Sequence, residues 1–283
     1  NSPENEQLSQ LFDSMYLQTE IPDLYLRDFL NVIIAFSEKH GEFFQPHIST
    51  FIPQLCEIAA NAENDNEKRN LALFVFSSLC KCAPRMCQVM SEFYEPVVEC
   101  IIQITSEVTE ETPIEYDANN TEPCLIARDV LQSIGSHIGD PCAAFVHVDE
   151  ICTQAIEKVS EEYGTKYDPG QAMLHIPWQL AYAITVSYCK LLVPAISTLF
   201  VKNVDYITPD YSDIIGITQK FIPLLSSNET PTILRVEILD LYSHLARSLL
   251  SHFLNGTIEF LLPLIKELIV NEEDQYVQYA AAQ

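Results

Sequence analysis

Apolar residues recur along this chain at three- and four-residue steps, in segments of helical length separated by short polar turns. Residues 63–108 show the pattern most plainly. Leu71, Phe74, Val75, Leu79 and Cys82 form one set, and Phe93, Val97, Cys100, Ile101, Ile104 and Val108 form another. Each set falls on one face of a 3.6-period helix. Ala83-Pro84-Arg85-Met86 separates them. Pro84 lacks an N–H and fixes its φ, so it ends one helix and permits the next. A single helical hairpin cannot bury both stripes, so the pattern predicts neighbours of the same kind.

Two markers recur with that unit. The first is an arginine at the head of an apolar helix: Arg27, Arg69, Arg128 and Arg235, with Gln179 and Gln278 in the same place. Successive gaps are 42, 59, 51, 56 and 43 residues. The second is a proline between apolar pairs, at Pro53, Pro223 and Pro263, with a weaker copy at Pro96. Paired helices repeating every ~40–47 residues are the mark of HEAT or armadillo arrays. The longer gaps require insertions. The expected role of the arginines is structural, bonding carboxylates between repeats or the ends of helices.

The fold class expected is all-α, a HEAT-repeat solenoid of antiparallel helix pairs. Residues 1–283 read as a single array and a fragment of a longer solenoid. Approximate units are 1–22 (partial), 23–64, 65–108, an acidic loop at 109–120, 121–164, 171–228, 229–271 and 272–283 (partial). Within them, His40-Gly41 predicts a left-handed glycine after the first helix. Residues 123–137 pair with 145–163 across Gly139-Asp140-Pro141. Residues 162–170 read as a polar insertion. Residues 171–201 are one helix kinked at Pro194 or two helices. Residues 210–226 form a helix behind Pro209, and 230–250 with 255–270 form a last hairpin.

Charge changes the picture most. Forty acidic residues face fifteen basic ones, a formal net charge of −25. Nucleic acid is excluded as a main partner, because phosphate binding needs a basic footprint. Anionic membrane surfaces are disfavoured too. No apolar run approaches the ~20 residues of a membrane span. A basic protein partner fits, attracted over about 8–10 Å at physiological salt. The nine cysteines lie mostly on apolar faces, as at Cys56, Cys80, Cys100, Cys152 and Cys189, and read as reduced thiols acting as small hydrophobes.

The acidity concentrates between Thr105 and Pro123, where Glu107, Glu110, Glu111, Glu115, Asp117 and Glu122 crowd together. No Lys or Arg occurs between Arg85 and Arg128. The stretch lacks apolar periodicity and is long for an interhelical turn, which predicts an exposed protein-binding loop. Trp178, the single tryptophan, reads as a core residue or as a candidate partner-facing aromatic. No dinucleotide, phosphate-loop, zinc-protease or serine-hydrolase motif is present, and the seven histidines are scattered. The reading is of a protein without catalytic residues, cofactor or metal.

Residues 25–135 resemble the importin beta superfamily, the karyopherins, and most of all its importin beta-3 branch. The resemblance is carried by Phe43-Phe44-Gln45-Pro46-His47-Ile48 and Lys68-Arg69-Asn70-Leu71-Ala72-Leu73. Ala83-Pro84-Arg85-Met86 follows, and then an acidic stretch leads into Ala127-Arg128-Asp129-Val130-Leu131-Gln132-Ser133-Ile134-Gly135. The resemblance implies a right-handed superhelix, with first helices convex and second helices concave. It implies a nuclear transport receptor that binds basic cargo proteins, the GTPase Ran and FG-repeat nucleoporins, between cytoplasm, nuclear pore and nucleus. The acidic loop would then contact Ran or cargo. The alternative is a HEAT-repeat scaffold or adaptor outside transport, such as a phosphatase or ubiquitin-ligase scaffold subunit.

Overall fold

The computed structural model describes residues 23–89, 91–114, 121–137, 141–163, 169–192 and 211–283. Among them are eleven α-helices and no strand. The chain divides into two compact units, Asn1–Cys100 with Thr121–Gly139 and Ile101–Asn120 with Asp140–Gln283. The expected partial unit at 1–22 lies outside the described residues.

In the first unit, α1 (Asp23–His40) is followed by a 3-10 segment, Gly41–His47, and α2 (Ile48–Ala60). Gly41 starts the 3-10 segment in a right-handed conformation, so the expected left-handed cap is not formed. Close approach explains the glycine instead: a Cβ there would lie 2.9 Å from the Ala83 Cβ. Phe36, Phe43, Phe44, His40, His47 and Phe51 pack ring against ring over this turn, the pairs among Phe36, Phe43 and Phe44 edge to face and Phe44 stacked on Phe51.

Helix α3 (Asn66–Cys82) packs on α1, α2 and α6 (Pro123–His137). Covered by three neighbours, it is buried from Lys68 to Cys80 except at Leu71 and Phe74. The stripe expected from sequence is corrected here. Val75 and Leu79 are core, but Phe74 and Cys82 are exposed and Leu71 half-buried, while Ala72, Leu73, Phe76 and Cys80 are fully buried. Serine pairs join consecutive first helices: Ser37 of α1 to Ser78 of α3 at 2.7 Å, and Ser77 to Ser133 of α6 at 3.0 Å.

Pro84 splits the chain as expected, with Ala83 outside helical geometry, and begins a short helix of its own, α4 (Pro84–Val89). Helix α5 (Ser91–Thr105) follows. Its apolar set is buried in full: Phe93, Val97, Cys100, Ile101 and Ile104, with Val108 just beyond.

In the second unit, α7 (Pro141–Tyr163) leads toward a 3-10 segment, Pro169–His175. Of the stretch expected as one helix kinked at Pro194 or as two helices, residues 171–192 are described. The 3-10 segment ends at His175, Pro177 starts α8 (Trp178–Ser187), and a widened π-type turn, Tyr188–Leu192, continues it. Pro194 and Pro209 lie outside the described residues. Every residue from Ala181 to Cys189 is buried, and the Thr185 and Ser187 hydroxyls donate to Ala181 and Ala183 carbonyls at 2.7 Å.

Helix α9 (Tyr211–Ser226) packs on α10 (Thr232–Asn271), and α11 (Gln275–Ala282) packs on α10 as well. The hairpin expected at 230–250 and 255–270 is one continuous 40-residue helix. Its length is about 60 Å. No proline stands at the expected turn: Asn255-Gly256 costs an interior helix only ~1 kcal/mol, and Pro263, which the helix does contain, lies beyond it.

Candidate functional site

The recurring arginines occupy the polar connectors between helices. Asp65 caps α3, accepting from the Lys68 N–H at 3.0 Å. Its other oxygen takes the Arg27 guanidinium at 3.0 Å and the Lys68 ammonium at 3.3 Å. A second Arg27 nitrogen reaches Glu67 at 2.7 Å. The Lys68 N–H and the Arg27 guanidinium hold the Asp65 carboxyl down at about 2. Beneath them Arg69 is buried, its Nε donating to the Ala59 carbonyl at 2.8 Å. The Asn64 amide donates to the Ile58 carbonyl, and the Asn61 N–H to Glu57. The last carbonyls of α2 are thus satisfied in a polar turn.

The same parts reappear before α11. Arg235 pairs with Glu272, Thr232 donates to Asp274, and Asp274 caps α11 through the Tyr276 N–H at 2.9 Å. Gln278 donates to the Glu272 carbonyl from the place Arg69 holds before α3. The Arg235 guanidinium is the main reason the Glu272 carboxyl titrates below the usual range. Arg27, Arg69 and Arg235 are therefore architectural, as expected from their recurrence, and leave the binding surface to other residues.

Of the acidic stretch, Glu107, Glu110 and Glu111 are exposed together on the turn after α5. Buried Val108 and Thr112 anchor that turn, the Thr109 N–H donating to the Thr112 hydroxyl at 3.0 Å. Glu122 is exposed and belongs to the other unit, where its carbonyl accepts the Leu125 and Ile126 N–H groups at the start of α6. A carboxylate there is favoured by the helix dipole, so a capping role competes with a binding one. Glu115 and Asp117 lie outside the described residues. Trp178 opens α8 and is half-buried.

Sequence reasoning missed three features. On α5, Glu92, Glu95, Glu99 and Gln103 are exposed at steps of three, four and four, forming an acidic stripe opposite the buried face. The signal was there, in the polar positions between the apolar ones. On α3, Asn70 is buried and donates to the Thr121 carbonyl at 2.8 Å, tying the exit of the acidic stretch to α3. In the second unit, Asp149 of α7 accepts from the buried Tyr188 hydroxyl at 2.9 Å and from Lys220 of α9 at 3.3 Å, a long-range triad invisible in sequence. Among the described residues, no group of three or more His, Cys, Asp or Glu could hold a metal ion. No described helix is long and apolar enough to cross a membrane.

No family model matches the sequence, and no curated protein matches it significantly. Solved structures do. Kap121p bound to RanGTP superposes with a TM-score of 0.70 over 98 % of this chain, at 16 % identity. The fold is a helical HEAT-repeat solenoid like that of Kap121p. Kap121p bound to Pho4p gives 0.68 and Kap121p bound to Nup53p gives 0.66, each over 98 % of this chain at 15 % identity. The chain spans about a quarter of the length of Kap121p, 24–25 % in these three comparisons.

Proposed function

We propose that this chain is part of a nuclear import receptor and has no catalytic role. Its acidic faces hold basic cargo segments, and it works with Ran and FG-repeat nucleoporins between cytoplasm, nuclear pore and nucleus. The observation that carries the reading is the likeness, over 98 % of the chain, to Kap121p in its complex with RanGTP. The charge of −25 supports it independently, since it suits basic partners and opposes nucleic acid.

The surface we assign to cargo is the stripe of Glu92, Glu95 and Glu99 on the second helix α5, with Glu57 on the second helix α2. Carboxylates at that spacing can engage successive Lys or Arg side chains of an extended segment. Each exposed contact is worth about 0.2–1 kcal/mol and is screened by salt, so affinity comes from their number. The turn bearing Glu107, Glu110 and Glu111 is a second contact, for Ran or cargo. Trp178 is a candidate aromatic anchor at the head of α8. Exposed Val32 and Phe74, on the adjacent first helices α1 and α3, offer an apolar patch for FG repeats.

The test is a titration of the chain against Ran loaded with GTP and with GDP. A transport receptor binds the GTP form selectively. Equal or absent binding to both forms, together with retained binding of a basic protein, would replace transport by a HEAT-repeat scaffold.

A further inference from the structure

Two thiols meet where the second helices α2 and α5 face each other. The Cys100 Sγ donates to the Cys56 carbonyl at 3.6 Å, and the Cys56 Sγ donates to the Pro96 carbonyl at 3.5 Å. The neighbouring Cys100 and burial push the Cys56 thiol up, which slows but does not forbid its reaction. The two residues are 44 apart in sequence, so this contact is made by the fold and not by local geometry. Their exposure differs. Cys56 is half-buried and reachable, whereas Cys100 is buried behind it.

We propose that Cys56 and Cys100 are a redox modification site, closing to a disulfide that staples α2 to α5. The oxidant is a small-molecule disulfide of the glutathione class. The Cys56 thiolate attacks one sulfur of that disulfide, forms a mixed disulfide and releases one small thiolate. The Cys100 thiolate then attacks the Cys56 sulfur, forms the protein S–S bond and releases the second. Two electrons pass from the two cysteines to the small disulfide, and the two thiol protons end on the two released thiols. Cys56 is the attacking residue because it is the accessible one, and Cys100 is the resolving residue.

The staple has a stated consequence. Exposed Glu57 follows Cys56 and exposed Glu99 precedes Cys100, so the crosslink fixes the separation of two acidic side chains on adjacent helices. The site itself does not depend on the transport reading. Internal controls are built in. Cys82 is exposed and reports whether the oxidant acted, while Cys80 and Cys87 are fully buried and shielded from it.

The experiment treats the folded chain with oxidised glutathione, alkylates the remaining thiols, digests and analyses the peptides by mass spectrometry. The expected result is a dithiothreitol-sensitive peptide linking Cys56 to Cys100, with free Cys56 and free Cys100 lost in equal measure. Cys80 and Cys87 stay reduced. In Cys100→Ser the link is lost and Cys56 instead retains glutathione. Should that variant fail to fold, the linked peptide of the unsubstituted chain still decides. Recovery of Cys56 and Cys100 as separately alkylated peptides, while Cys82 carries glutathione, would overturn the proposal.

Discussion

The connector before α3 and the connector before α11 hold the same parts at different depths. Each has a capping aspartate, an arginine from the preceding first helix and a donor four residues beyond the cap. Before α3 the reaching arginine is surface-exposed: the Arg27 and Asp65 side chains are 47 % and 41 % accessible. Before α11 the equivalent pair is sunk, Arg235 and Glu272 being 10 % and 15 % accessible. The buried cation has changed place. In the first connector Arg69, on the carbonyl of Ala59, is buried along with Lys68 on Asp65; in the second the place of Arg69 is taken by neutral Gln278, and Arg235 is the buried one. One repeat pattern therefore allows the buried charge at either of two positions, and the energetic consequences differ.

The largest difference is expected on removing the reaching arginine. Arg235→Ala leaves the half-buried Glu272 beside Asp274 without its cation, a loss of about 1–3 kcal/mol. Arg27→Ala removes a solvated, screened pair and should be indistinguishable from an ordinary surface substitution. Urea unfolding of both variants, with amide exchange read at α11 and α3, makes the comparison. Equal losses would break it.

The two units also differ in how helices end. A proline ends α3, whereas α10 runs through Asn255-Gly256 without a break. A continuous helix predicts that Gly256→Ala raises stability by up to about 1 kcal/mol. It also predicts protected amides from residue 251 to 256. Fast exchange there, with a destabilised alanine variant, would restore the hairpin.

A smaller effect is expected in acid. The Asp65 carboxyl sits at about 2 when folded against a usual 3.8. A depressed folded value means that its stabilisation is present above about pH 4 and is lost as pH falls toward about 2. Asp65→Asn should flatten that part of the acid-unfolding curve. A curve unchanged between pH 4 and 2 would show that the cap and the Arg27 pair do not hold the carboxylate.

How much of this was legible in the sequence follows from how many sides of a helix are covered. Every residue of the predicted α5 stripe is buried, because one face of α5 is covered and the other is acidic, although the buried face also takes in Val98 and Ile102. For α3 the periodic signal misled, because α1, α2 and α6 cover most of its circumference and leave Phe74 outside. The recurrence of Arg27, Arg69 and Arg235 was readable and so was its structural meaning. Their depth was not, because Arg27 and Arg235 stand in similar sequence and differ only in packing. Asn70, the Cys56–Cys100 contact and the Asp149–Tyr188–Lys220 triad join residues 39 to 71 apart, and nothing local announces them. The acidic loop drew attention by its composition, while the more ordered stripe on α5 was hidden among apolar residues.

The central claim is that acidic side chains on second helices hold a basic segment. The most direct measurement is the anisotropy of a fluorescent lysine-rich peptide titrated with the chain and with its Glu92→Gln, Glu95→Gln, Glu99→Gln triple variant, each at low and at physiological salt. The account predicts that binding weakens with salt, that the variant binds about tenfold more weakly at low salt, and that its salt dependence is shallower. Equal affinity of the two proteins, or binding indifferent to salt, would contradict it.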